Sequence, residues 1–177
     1  GSNLPESVGG SGWGSAALIP VVESMGKGLR GTPLVSTVLA SELIRRAGGI
    51  AEEDVLEDIS GGCAATVAYL DRGDWGAVNT GVSVDAQGVL SGSKFMVPDA
   101  AQAAWIAVVG ANEASEPVVA LVSGDDIAVQ AQEAHALIDL TKRAATIDFT
   151  GIKAQRALSG AKIEGAVREY RLRGARL

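Results

Sequence analysis

Apolar residues in the first third of the chain recur at helical spacing, and from Gly61 onward they alternate with polar ones instead. Leu18, Val21, Val22, Met25 and Leu29 fall on one face of a helix that Ser15 is placed to cap, with Pro20 near its first turn. Gly26, Gly28 and Gly31 weaken and end it. Thr32-Pro33 is a restart signal, a capping hydroxyl followed by proline at the first helical position. Leu34, Val35, Val38, Leu39 and Leu43 form the stripe of this second helix; Arg45 and Arg46 suit its C-terminal end, and Gly48-Gly49 stop it. A short acidic helix follows over 52–59, its carboxylates read as a solvated face.

Beyond it, 63–70, 77–84, 89–97, 105–109, 118–122, 127–129 and 144–149 read as short strands separated by Gly, Asp, Asn or Ser turns. Asp85-Ala86-Gln87-Gly88 is a hairpin turn with Gly88 free to take a positive φ. Pro98-Asp99 forms a corner, because proline donates nothing to a ladder. From Ser159 helical spacing returns, with Ile163, Val167 and Tyr170 on one face, and it reaches Leu177 without a capping signal, as in a helix cut short. Helices, then strands, then a helix indicate an α+β fold. The strands predict a small antiparallel β-barrel or sandwich over 61–157, with 1–60 and 158–177 as helical parts.

Hydrophobic residues make up 47% of 177 positions, enough for a real core, so disorder is excluded. A net charge of −6 excludes nucleic acid as the natural partner. Arg168, Arg171, Arg173 and Arg176 run against that balance and read as a solvated helix face or an interface. One cysteine and one histidine build no metal site. Cys63 reads as a small buried hydrophobe in a reducing, cytoplasmic compartment, and His135 as a surface or loop residue rather than a catalytic one. No apolar run is long enough to span a bilayer. Gly1-Ser2 resembles the remnant of an expression tag.

Three segments resemble one family in the right order. Pro5-Glu6-x-x-Gly9-Gly10-x-Gly12 resembles the "PEEYGGxG" entry of the acyl-CoA dehydrogenase flavoproteins. Leu90-x-Gly92-x-Lys94-x-x-Val97-x-x-Ala100-x-x-Ala103 resembles that family's "LxGxKxxVxxAxxA" hairpin. Asp139-Leu140-Thr141-Lys142-Arg143, then Ala145-x-Ile147-x-Phe149-x-Gly151-Ile152, resembles its later strand pair. The resemblance implies the end of an N-terminal helical domain, a whole middle β-domain and the first helix of a C-terminal helical domain.

It also implies an activity: oxidation of an acyl-CoA thioester to the 2-enoyl-CoA, with FAD taking the hydride and a glutamate the α-proton. In the family a "Thr-Glu-Pro" strand and a "Trp-Ile-Thr" segment form one flavin wall. Here they read Tyr69-Leu70-Asp71-Arg72 and Met96-Val97-Pro98, so Tyr69, Leu70, Met96, Val97 and Pro98 are the candidate cofactor-binding residues. Leu70 and Pro98 stand where hydroxyls are expected. The family's usual base lies beyond Leu177. Glu164 and Glu169 are nominees only by analogy with members that carry it on the first C-terminal helix, and no catalytic residue is expected in this chain. The implied partners are the acyl-CoA substrate and further subunits of a homo- or hetero-oligomer. Loss of both hydroxyls also fits a second reading, a cofactor-less structural subunit of a hetero-oligomeric enzyme.

Overall fold

The structure, a computed structural model, describes residues 3–48, 52–72, 81–128 and 132–174. Two helices open it, α1 (Ile19–Lys27) and α2 (Leu34–Gly48), followed by α3 (Glu53–Ser60). Then come β1 (Ala65–Ala68), β2 (Val82–Val84), β3 (Leu90–Pro98), β4 (Trp105–Ala111) and β5 (Pro117–Ser123). A helical turn α4 (Gly124–Ala128) leads to β6 (Gln132–Ala134), β7 (Ala144–Asp148), β8 (Arg156–Ser159) and a last helix, α5 (Ala161–Gly174). The α+β order expected from the sequence is the order found.

The sheet departs from the expected antiparallel barrel or sandwich in two respects, its mixed pairing and its open edges. Its strand order is β6-β7-β3-β2-β4-β5-β8, with β1 also on β4. Both β1 and β2 pair with β4 in parallel, so the sheet is mixed. It is also open: β6 and β8 end it, with no strand beyond either among the described residues. Parallel pairing joins segments that need no tight turn between them, so no local signal announces it.

Two cores lie on the two faces. One is lined by Val84, Leu90, Val97, Ile106, Val108, Ala120, Ile147 and Phe149, residues from strands across the sheet. The other joins Leu43 and Ile44 of α2, Leu56 of α3 and Ile163 and Val167 of α5 to Val67, Val109, Val119 and Leu121 on the opposite face. β4 and β5 serve both, and their central residues are buried without interruption (Ile106–Gly110 in one, Val118–Val122 in the other). Arg156 ties the helical part to β8 through Glu52 Oε2 at 3.1 Å and Asp54 Oδ1 at 2.5 Å. Those carboxylates push the guanidinium's pKa up, and Arg156 in turn holds the Asp54 carboxyl down.

Several local expectations need correction. α1 starts at Ile19 with Leu18 at its N-cap and no side-chain cap bond, and none of its residues is buried. Leu29, expected on its apolar face, lies beyond it at φ 48 and is 77% exposed. Ile127 and Ala128 belong to the turn α4 rather than to a strand; Val129 of that expected strand, and 77–80 of another, fall outside the described residues. β6 and β8 carry no alternation long enough to read, and 156–159 alternates half-buried with exposed positions only. Cys63 is exposed, since it sits in the turn after Gly61-Gly62 and before β1 begins.

Candidate functional site

β1 gives way at Ala68 to residues 69–72, which lie along the far half of β3. Phe95 N donates to Leu70 O at 2.7 Å, and Thr66 Oγ1 donates to Pro98 O at 2.6 Å. The two segments singled out in the sequence are therefore neighbours, with Leu70 beside Phe95 and Pro98 beside Thr66.

Lys94 holds them together. Along β3, Leu90 and Lys94 share the inward phase of the strand, and Lys94 is 0% exposed. Its Nζ donates to Asp71 Oδ1 at 2.6 Å and to Tyr69 O at 3.2 Å. Burial pushes the lysine pKa down, while its hydrogen bond to Asp71 and that carboxylate's charge pull it back up. An ammonium kept in a dry site by two fixed acceptors is a latch, not a general base. It fixes the path of residues 69–71.

After Lys94 the strand changes phase. Met96 takes φ 52, and the pairing of β3 with β7 shifts register between Lys94 and Val97. A non-glycine residue there costs about 1–3 kcal/mol, a cost that recurs at functional positions. The bulge turns Val97 inward, 1% exposed in the first core, and leaves Met96 and Pro98 half-buried. Asp99, also at positive φ (50), ends the corner and accepts from the hydroxyl of Ser36 in the first turn of α2.

The five candidate residues do not share one face. Tyr69 packs toward the helical core, where its ring meets Tyr170 of α5 at 5.5 Å and 55°. Val97 packs into the other core. Leu70, Met96 and Pro98 remain half-buried along the corner. Beside them Arg72 lies over the Phe95 ring at 5.4 Å, and the edge of His135 meets the same ring at 5.0 Å. His135, expected at the surface or in a loop, lies just beyond β6 outside any strand, is half-buried and shares a 2.8 Å hydrogen bond with the Thr146 hydroxyl.

Toward a flavin the corner offers no hydroxyl from its two key side chains. Leu70 and Pro98 bring no hydroxyl, Pro98 has no N–H, and the carbonyls of both already accept bonds. Each polar edge atom of an isoalloxazine buried here without a partner would cost about 1–3 kcal/mol. Glu164 is exposed on α5 and Glu169 is half-buried and engaged. Among the described residues no cluster of three His, Cys, Asp or Glu could hold a metal, and no helix is long and apolar enough to cross a membrane.

Sequence reading missed Asp71 and Lys94 as a pair, and Tyr170 as the partner of Tyr69. The one available signal was a lysine at an inward position of an otherwise apolar strand. Tyr170 yields a test. Burial, then the neighbouring Tyr69, pushes its phenol up to about 12. The unfolded phenol ionises near 10, so between pH 10 and 12 the folded chain keeps a proton that the unfolded one loses. Stability should therefore fall as pH rises through that window. Urea midpoints followed from pH 9 upward should drop less steeply for Tyr170→Phe than for the parent chain, and equal slopes would refute the buried phenol.

No family model matches the chain, and no curated protein does. Solved structures do. A structure described as the Tcur3481-Tcur3483 steroid ACAD is 27% identical and superposes with a TM-score of 0.81 over 97% of this chain and 47% of its own. The ChsE4-ChsE5 complex from Mycobacterium tuberculosis is 25% identical, with a TM-score of 0.73 over 94% of this chain and 46% of its own. An acyl-CoA dehydrogenase from Geobacillus kaustophilus, at 16% identity, shares the fold with a TM-score of 0.78 over 96% of this chain and 49% of its own. The chain thus spans about half the length of the structures it matches.

Proposed function

We propose, from the acyl-CoA dehydrogenase fold that this chain carries over about half the length of its structural neighbours, that it supplies the sheet wall of a flavoprotein oxidising acyl-CoA thioesters to 2-enoyl-CoA. The observation that carries this reading is the corner itself. Residues 69–71 are pinned against 94–98 by Lys94, where the resemblance expects one side of an isoalloxazine slot. FAD, when bound, would accept the hydride. This chain's own part is to shape the slot with Leu70, Met96 and Pro98 and to exclude water from it. It contributes no base, so by itself it is inactive. The parts 1–60, 61–157 and 158–177 correspond on this reading to the end of a helical domain, a middle β-domain and the start of a second helical domain, in a cytoplasmic enzyme.

A second reading is favoured by the missing hydroxyls at Leu70 and Pro98: a cofactor-less structural subunit that works beside a flavin-binding partner. Two neighbours are described by paired names, Tcur3481-Tcur3483 and ChsE4-ChsE5, which fits such an assembly. Visible absorbance separates the two. The whole protein purified alone should show a flavin spectrum that an acyl-CoA bleaches on the first reading, and no flavin until the partner is added on the second. Restoring the hydroxyls gives a sharper test. The double variant Leu70→Thr, Pro98→Thr should bind FAD roughly tenfold or more tightly, as expected when buried polar atoms regain partners. Fluorescence quenching during FAD titration reads this directly. An unchanged affinity would mean that the flavin edge does not meet this corner.

A further inference from the structure

Three pairs of consecutive residues meet where the first turn of α2, the start of β1 and the end of β3 come together: Ser36-Thr37, Ala65-Thr66 and Pro98-Asp99. One hydroxyl ties each pair to the next. Ala65 N donates to Thr37 Oγ1 at 3.1 Å, Thr66 Oγ1 donates to Pro98 O at 2.6 Å, and Ser36 Oγ donates to the Asp99 carboxylate. The three bonds close a circuit that starts and ends on α2. Its centre is dry: Ala65 and Thr66 are 0% exposed and Ser36 6%, so water does not stand in for a broken bond there. Pro33 O also lies 3.2 Å from Ser36 Oγ, but a hydroxyl has one proton and a carboxylate is the stronger acceptor. Asp99 holds its place at φ 50, an angle that glycine takes freely. Glycine would bring no carboxylate to Ser36.

We propose that Ser36, Thr37 and Thr66 are positioning residues that couple the corner to α2, so that a shift of the helix is passed on to Pro98 and Asp99 instead of being absorbed between them. What the corner holds rests on the flavin-wall reading; the coupling itself does not. In a closed circuit no member moves without breaking a bond, and a buried donor or acceptor left unpaired is costly. The corner's turn needs none of these hydroxyls. Asp99 N already donates to Arg143 O at 3.0 Å, and its carbonyl accepts from Gln102 N at 3.0 Å. The side-chain bonds therefore do what the backbone bonds do not, which is to reach α2. They bear on both segments of the corner, because the chain runs on from Thr66 through β1 to Leu70, whose carbonyl accepts from Phe95 N at 2.7 Å.

Amide NMR spectra of the whole chain test this at a distance, since native-state chemical shifts report position and not stability. Ser36→Ala should move the amide resonances of Asp99 and Phe95, although those N–H groups donate to Arg143 O and Leu70 O. Hydrogen exchange at both should quicken roughly tenfold, as expected when a buried acceptor loses its donor. Thr66→Val, nearly isosteric, should act in the same way, and Thr66→Ser, which keeps the hydroxyl, should restore the parent spectrum. Asp99→Gly separates the link from the turn: it relieves the backbone angle, yet it should reproduce the Ser36→Ala pattern, and combining the two should add nothing further. The amides of Gly88 and Asn112, which close turns elsewhere by donating to Asp85 O and Glu116 O, should stay where they are in every variant. A loss of stability with the Phe95 resonance unmoved would reduce the hydroxyls to packing and overturn the coupling, as would equal movement at Gly88 and Asn112. No flavin enters these measurements. A whole chain that takes up no FAD would therefore sink the flavin wall and leave the circuit standing.

Discussion

Replacing Lys94 by methionine should lower the stability of the folded chain by about 3–5 kcal/mol, the usual cost of removing one partner of a buried ion pair. Methionine nearly matches the lysine stem in volume, so packing is not what is lost. What is lost is the ammonium that Asp71 Oδ1 and Tyr69 O both accept from, in a site where Lys94 is 0% and Asp71 7% exposed. The companion variant, Lys94→Met with Asp71→Leu, removes both charges and should recover most of the loss, since an apolar pair of similar size avoids desolvation altogether. Urea unfolding of the two single variants and the double one closes the cycle. A cost below about 1 kcal/mol for Lys94→Met would place the pair among exposed ones. The latch would then have no hold on residues 69–71, and the proposed slot would lose its fixed wall.

That pair marks the limit of what the sequence discloses. Local signals were read well. The turn at Asp85–Gly88 forms as expected: Gly88 has φ 79, and the Asp85 carboxylate accepts from the N–H groups of Gln87 and Val89. The helix after Thr32-Pro33 begins at Leu34, and Ile163 and Val167 are buried on α5. Each of these depends on residues within a turn or two of one another, where spacing carries the information.

What the sequence withheld is of three physical kinds. Parallel pairing of β1 and β2 with β4 joins distant segments whose apolar runs would suit either direction. The phase change at Met96 depends on a positive φ in a residue that rarely adopts one, so alternation along β3 gave no warning that Val97 turns inward. The apolar residues of α1 are spaced for a face that the described chain covers only in part, with Val22 and Met25 half-buried and none buried, since periodicity reports that a face exists and not what packs on it. The candidate site divides the same way. The resemblance located both of its segments; that Lys94 reaches Asp71, and that Tyr170 lies on Tyr69, required the fold.

Gly92→Ala should be the other severe change, costing about 3 kcal/mol or more, and its cause is space as much as backbone angle. Gly92 has φ +116, and a Cβ there would overlap the carbonyl oxygen of Gly81 and come to 3.3 Å from Val82 Cα. The backbone cannot retreat. Its N–H donates to the Thr150 hydroxyl at 3.1 Å, and its carbonyl accepts from Phe149 N at 2.9 Å on the other side. Gly151 separates the two causes, because it has φ +84 with nothing within 4 Å of the added carbon. Gly151→Ala should therefore cost only the angular strain, about 1–2 kcal/mol. Gly81 extends the reasoning to the latch, since a Cβ there would overlap the Asp71 carboxylate. Gly81→Ala should be markedly less harmful in an Asp71→Ala background than in the parent, a coupling of the kind that contacting side chains show. Thermal melts of this set would refute the crowding if Gly92→Ala and Gly151→Ala proved equally costly, and would detach Gly81 from the ion pair if its cost were the same in both backgrounds.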